Sequence, residues 1–339
     1  MTPPKTVAFS KHSTNLFFHI LTQCNLKCQH CYINPQQQGE NLLSSSAIRA
    51  WLSQFAKKCN RTNLILLGGE PTLHPDLPSA IKQAKDMGFG SITVDTNGYL
   101  FHDILSKVSP EEVDTFSFSL DGATRKTNDL LRGDGAYDTC IAGIKKTIAR
   151  GFATSLIYTV SSLNIHELEN MVPLLKDLGV DRFFIQVIGL RGKAAKTEAS
   201  MTDNKIMPVS HAEWLAIIPR VAQKVSNLGI TAIYPKVYLD LGESFECAGL
   251  VAENYFIFPN GRVYRCPLCE DYPIHSLEFN DNKLAPTAKL NENDFFQLDI
   301  PEGCVMNKLI QPQNLSYTRE GVPQYKIGCC LLKEEIRGV

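Results

Sequence analysis

Between residues 16 and 188, short apolar runs alternate with stretches of helical periodicity, and this alternation restricts the fold more than any other feature of the chain. The strand-like runs are 16–22, 62–67, 91–96, 114–120, 153–160 and 182–188, and helix-like stretches fall near 44–58, 76–88, 99–107, 137–150 and 165–178. Ser44 or Ser45 is placed to cap the first of these helices. Strands that alternate with helices pair in parallel, and right-handed crossovers curl such a sheet toward a barrel. The expected fold is α/β: a partial (β/α)6 TIM-like barrel over residues 1–190, open on one side. Residues 191–229 read as a polar linker and a helix at 211–228, with Trp214, Leu215, Ile218 and Val221 on its apolar face. Residues 230–339 read as a cysteine-rich domain with more loop than periodic structure.

Parallel sheets gather function on the loops at the C-terminal ends of their strands. Cys24, Cys28 and Cys31 follow the first strand, Gly68-Gly69-Glu70-Pro71 the second, Asn97-Gly98 the third and Asp121-Gly122 the fourth. A structural zinc site wants four closed ligands, usually as paired C-x2-C knuckles. Three thiols spaced C-x3-C-x2-C suit instead an iron–sulfur cluster with one iron left open to another ligand. The alternative is a zinc knuckle completed by His30 or a distant cysteine. The two glycines would let backbone approach a ligand closely. A Glu at residue 70, deep in a barrel mouth, calls for a cationic partner.

Composition narrows the function. The 339 residues are 44% apolar and carry a formal net charge of −1, so nothing points to nucleic acid or a membrane surface. Residues 1–10 lack the apolar core of a signal peptide, which makes a cytoplasmic protein the expectation. Eleven cysteines in a reducing compartment are metal ligands sooner than disulfides. Cys59 and Cys140 stand alone and read as core or surface thiols, while Cys247, Cys266, Cys269, Cys304, Cys329 and Cys330 crowd the C-terminal third. Residues 253–265 read as a hairpin about Pro259-Asn260-Gly261, where Asn-Gly favours a type I′ turn. Such a hairpin brings Cys247 and Cys266 to one end of two paired strands.

The C-x3-C-x2-C loop, Gly-Gly-Glu-Pro and Ser119-Leu120-Asp121-Gly122, on successive strand ends, resemble the radical S-adenosylmethionine (SAM) superfamily, most closely its branch of sulfatase-maturating and peptide-modifying enzymes. The resemblance spans roughly residues 16–190. It implies a [4Fe–4S] cluster on Cys24, Cys28 and Cys31, reductive cleavage of SAM to a 5′-deoxyadenosyl radical, and abstraction of a substrate hydrogen. It implies SAM contacts from Gly68, Gly69, Glu70, Ser119 and Arg132, with Asp121 close by and Thr96, Asn97 and Gln186 lining the pocket. Arg132 as a solvated loop residue is the plainer alternative. His30 stands where the superfamily often has an aromatic packed near the adenine. Cys247, Gly261 and Cys266 resemble the opening of the SPASM and twitch domains, which hold auxiliary clusters. Six cysteines suit one further [4Fe–4S] cluster on Cys247, Cys266, Cys304 and Cys330, with Cys269 competing with Cys304, and Cys329 with Cys330. Zinc is the alternative there too. The resemblance implies an electron donor such as flavodoxin or ferredoxin, and a peptide or protein substrate. A small molecule of cofactor or natural-product synthesis is the second reading, and a non-catalytic zinc-binding interaction protein the rival from another class.

Overall fold

The computed structural model describes residues 5–7, 14–40, 42–56, 62–198 and 206–338. Cys59 lies outside the described residues. All six strands expected from the sequence form: β1 (Thr14–His19), β2 (Thr62–Leu67), β3 (Ser91–Thr96), β4 (Thr115–Ser119), β5 (Thr154–Val160) and β6 (Arg182–Val187). They pair in parallel, each with the next. The sheet then continues on both sides. The strand β7 (Thr231–Pro235) adds in parallel to β6, and β8 (Glu253–Ile257) adds in parallel to β1. Beyond β8 come β9 (Arg262–Tyr264), β10 (Leu277–Asn280) and β11 (Lys283–Pro286), all antiparallel. Beyond β7 come β12 (Lys333–Ile336) and the short strand Lys5–Val7, also antiparallel. The result is one sheet of 13 strands, with β11 at one edge and Lys5–Val7, outside β12, at the other.

Alternation along the strands divides the two faces. Leu16, Phe18, Ile20, Leu64, Leu66, Ile92 and Val94 join one apolar core with Ile48, Trp51 and Leu52 of the helix Ser45–Ser53, which Ser44 caps through Ala47 N (3.2 Å). The opposite face lines the barrel and is polar. At its floor Asn15 donates to Asn254 (2.8 Å), Asn63 to Asn15 (2.9 Å) and Ser91 to Asn63 (2.8 Å), a ladder that satisfies itself.

Three local expectations change. The 253–265 hairpin forms, but its turn is not type I′: Gly261 has φ 88°, whereas Asn260 is not among the positive-φ residues. Gly261 N donates to Phe258 O (2.9 Å) and Phe258 N to Arg262 O (3.0 Å), so Pro259 opens a three-residue loop closed by a left-handed glycine. Residues 125–132, outside the helix-like stretches expected from the sequence, are a helix capped by Thr124. The stretch 99–107 is two short turns broken by positive φ at Leu100, His102 and Asp103.

Candidate functional site

Cys24, Cys28 and Cys31 lie on the loop that leaves β1, half-buried, and backbone contacts fix that loop from three sides. Gly69 N donates to Leu21 O (3.1 Å) and Glu70 N to Gln23 O (3.0 Å). Gln29 N donates to Leu131 O (2.8 Å), and Lys193 N to Cys31 O (2.8 Å). The glycines also have a reason that the sequence did not suggest. A Cβ on Gly68 would stand 2.2 Å from Leu21 O, and one on Gly69 2.2 Å from Gln23 O. They let the second loop press against the cysteine loop, which a side chain would push away.

Among the described residues Glu70 has no cationic partner; its carboxylate is filled by uncharged donors. Oε1 accepts from Thr72 N (3.0 Å), Thr72 Oγ1 (2.6 Å) and Thr96 Oγ1 (2.8 Å), and Oε2 from Asn97 N (2.7 Å). Burial raises its pKa, and these bonds pull against the rise. Asn97, fixed in turn, donates from Nδ2 to Asn25 Oδ1 (2.8 Å), with Cys24 Sγ at 3.9 Å. Glu70 thus reaches the cysteine loop through Asn97. Thr96 is buried in this clasp.

Asp121 is wholly buried. Its Oδ2 lies 2.6 Å from Arg132 Nε and 3.0 Å from His30 Nε2, and Oδ1 accepts from Thr159 N (2.7 Å). Burial alone would raise this carboxyl; Arg132, then His30, outweigh it and hold it well below the usual carboxylate range. Arg132 ends the helix Arg125–Arg132 with 8% exposure, so it is not a solvated loop residue. Its guanidinium opposes the rise that burial imposes on the Cys28 thiol. His30 is bound to Asp121 through one ring nitrogen, and its buried Nδ1 has no partner among the described residues. Ser119 ends β4 half-buried, and Gln186 sits on β6 beside Thr159. Asp95 is a carboxylate on this wall that sequence reasoning missed. It faces the barrel beside Ser117, and burial pushes its carboxyl up to about 7. The alternation Ser-Ile-Thr-Val-Asp-Thr, with Ile92 and Val94 on the core side, could have found it.

The residues fit the implied group. Burial pushes Cys24 up to about 12, and the charges of Cys28 and Cys31 add to that rise, so the three thiols lie within electrostatic reach of one another. Among the described residues no three His, Cys, Asp or Glu side chains converge closely enough to grip one metal ion. Three thiols within reach of one another, the orphaned His30 Nδ1 and a cation beside Cys28 fit a negatively charged group held at this loop.

In the C-terminal third, Cys247, Cys266, Cys304, Cys329 and Cys330 line one small pocket. Buried Glu292 braces it: Oε1 accepts from Arg265 N (2.6 Å) and Ser276 Oγ (2.8 Å), and Oε2 from Cys266 N (3.1 Å). Cys269 is absent from that lining and is wholly buried. Cys140 is buried behind Ser119.

We expect Glu70→Gln to lower unfolding stability by about 1–3 kcal/mol, because an amide NH2 would face Asn97 N–H, donor against donor. Urea unfolding at neutral pH measures this, and an unchanged midpoint would mean that the clasp is not maintained in solution.

Residues 19–175 match the model of the Radical SAM superfamily. A probable GTP 3′,8-cyclase of Saccharolobus solfataricus is 29% identical over 178 residues, 52% of this chain and 58% of that protein. The Fe-coproporphyrin III synthase of Methanosarcina barkeri is 29% identical over 198 residues, 57% of this chain and 49% of that protein. The chain thus spans about half the length of the curated relatives it matches. Streptococcus suis SuiB bound to S-adenosylmethionine superposes with a TM-score of 0.64 at 15% identity, over 89% of this chain and 68% of that one. The structure of anSMEcpe with bound AdoMet gives 0.57 at 12% identity, over 91% and 85%. At such identities these two speak for the fold alone. Among the described residues no helix is long and apolar enough to cross a membrane. The strand ends that carry the three thiols thus lie within a stretch, residues 19–175, that carries a radical SAM domain.

Proposed function

We propose that this chain is a radical SAM enzyme with a second, auxiliary [4Fe–4S] site, and that it modifies a peptide or protein. A [4Fe–4S] cluster with SAM supplies one-electron cleavage of a carbon–sulfur bond and a carbon radical able to take hydrogen from a substrate. Cys24, Cys28 and Cys31 would hold that cluster. Asn97 steadies Cys24 through Asn25, and Asp121 keeps the Arg132 guanidinium in place beside Cys28. Gly68 and Gly69 admit the second loop against the first. Ser119, Gln186 and Asp95 line the wall that SAM and substrate would meet, and the glycine loop with Glu70 would frame the methionine end of SAM.

The observation that carries the auxiliary site is the convergence of five thiols on one cavity. Cys247, Cys266, Cys304 and Cys330 are the proposed ligands. The peptide reading is supported by whole-chain likeness to SuiB, a structure of which is bound to precursor peptide SuiA. A small-molecule substrate is the second reading, favoured by the names of the curated relatives. A flavodoxin- or ferredoxin-like donor would supply the electron, and the cytoplasm would be its compartment.

Anaerobic incubation of iron-loaded protein with SAM and dithionite, with and without candidate peptides, tests this by mass spectrometry. The expected products are 5′-deoxyadenosine and a mass change in one peptide. Absence of 5′-deoxyadenosine would overturn the enzymatic reading. Its formation with change only in an added small molecule would transfer the assignment to the second reading.

A further inference from the structure

The segment that follows β6 threads between the two sets of thiols. Arg191 lies over the ring of Tyr32, the residue after Cys31, with its guanidinium carbon 4.6 Å from the ring centre. Its Nη1 donates to the carbonyl of Pro267, the residue after Cys266, at 2.6 Å, and pairs with the Glu270 carboxylate. Gly192 N donates to Asp271 Oδ2 (2.6 Å), and Asn34 Nδ2 to Asp271 Oδ1 (2.9 Å). His19 Nδ1 meets the Ile257 carbonyl at 3.0 Å and therefore donates, which leaves Nε2 to accept from the Tyr32 hydroxyl at 2.9 Å. Burial holds this imidazole neutral, at about 3. Tyr32 is thus fixed from both ends, and Arg191 with it.

Joining the two halves does not require this ion pair. The sheet already unites them, through β1 with β8 on one side and β7 with β12 on the other. A buried ion pair is also a poor source of stability, since the cost of desolvating both charges offsets most of their attraction. What distinguishes Arg191 is its place. It is a cation in the wall between Cys31 and Cys266, and its charge is felt at Cys330, where Lys333 adds a second cation. Glu270 and Asp271 are the anions facing it.

Building on the proposed auxiliary site, we propose that Arg191 is a positioning residue that sets the reduction potential of the site formed by Cys247, Cys266, Cys304 and Cys330. Reduction adds one electron to the site from a low-potential reductant, with no bond made or broken. The added negative charge is stabilised by a nearby cation in a poorly solvated wall. Removing the cation makes reduction harder, so the midpoint potential moves to a more negative value. Burial already raises the Glu270 carboxyl to about 8 beside Arg191, so with the cation gone Glu270 takes up a proton and the shift reports the lost cation alone.

The test uses full-length protein with Cys24, Cys28 and Cys31 replaced by Ala, so that only the auxiliary site loads. Iron and zinc are counted, and the site is titrated with dithionite against mediators, following absorbance near 400 nm and the paramagnetic resonance of the reduced form. Arg191→Met should shift the midpoint negative at unchanged iron content, and Arg191→Lys should stay near the parent. Arg191→Gln, which can still donate to the Pro267 carbonyl, repeats the neutral substitution with a side chain that keeps part of the packing. An unmoved potential in both neutral variants with iron intact overturns the inference. So does a Lys variant that shifts as far as Met, because packing and not charge would then be responsible. Zinc, or no metal, in the parent triple variant overturns the auxiliary-site reading itself, and the inference with it.

Discussion

Replacing Cys24, Cys28 and Cys31 together by Ala abolishes the reductive cleavage of SAM, leaving 5′-deoxyadenosine at the level of a protein-free control. The loss is expected to be complete because the three thiolates are the ligands that the loop offers, and without them no iron stays where SAM would meet it. The structure also makes the experiment clean. The loop is fixed by backbone bonds to Gly69, Glu70, Leu131 and Lys193, and by the Asn97–Asn25 contact, none of which needs sulfur. The three side chains are only half-buried, so truncating them removes little packing. Thermal unfolding of the triple variant should therefore stay near that of the parent protein while activity vanishes. If 5′-deoxyadenosine forms undiminished in the triple variant, the site assignment is wrong.

The parts of this site that were legible in the sequence are those whose chemistry is local. C-x3-C-x2-C places three thiols on one loop whatever the rest of the chain does, and apolar runs with period two locate the strands that carry it. The clasps were not legible, because they join residues from different loops. Glu70 called for a cation in the sequence, yet the fold supplies Thr72, Thr96 and the Asn97 amide, and only the loop geometry decides between those outcomes. The helix that carries Arg132 was not legible because Arg-Lys-Thr-Asn-Asp-Leu-Leu-Arg offers little apolar periodicity, and it is held by the Thr124 cap and by Asp121 on the loop after β4. The hairpin at 253–265 was visible, but not its parallel docking on β1, where Tyr255 aligns with Leu16 from the far end of the chain. Arg191 stands in what reads as a featureless polar linker, and only its partners Tyr32 and Glu270, brought together by the fold, give it meaning.

The same triple variant should still bind about four irons, the content of one [4Fe–4S] cluster, because a separate set of thiols remains. Within that set, Cys330→Ala should lose most of the iron and Cys329→Ala should keep most of it. Both thiols line the cavity, so position does not separate them; their surroundings do. Cys329 packs with Ala248 and Ala252 in an apolar cluster, and its hydrogen bond to Cys330, then burial, push its pKa above the ordinary thiol range. Cys330 is held below that range by the same hydrogen bond from Cys329, then by Lys333 and Arg191, which favours the thiolate that a metal requires. Cys304 is already positioned, with its N–H on the Ile327 carbonyl (3.1 Å) and its sulfur accepting from Asn307 N (3.4 Å). Cys269, buried outside the cavity, should tolerate Ser with little loss of iron. Metal analysis of each variant on the triple-Ala background decides the matter. Equal losses for Cys329 and Cys330 would mean that charge does not select between them, and greater loss for Cys329→Ala would make the residue facing Ala248 the ligand and leave the Lys333–Arg191 pair beside a free thiol.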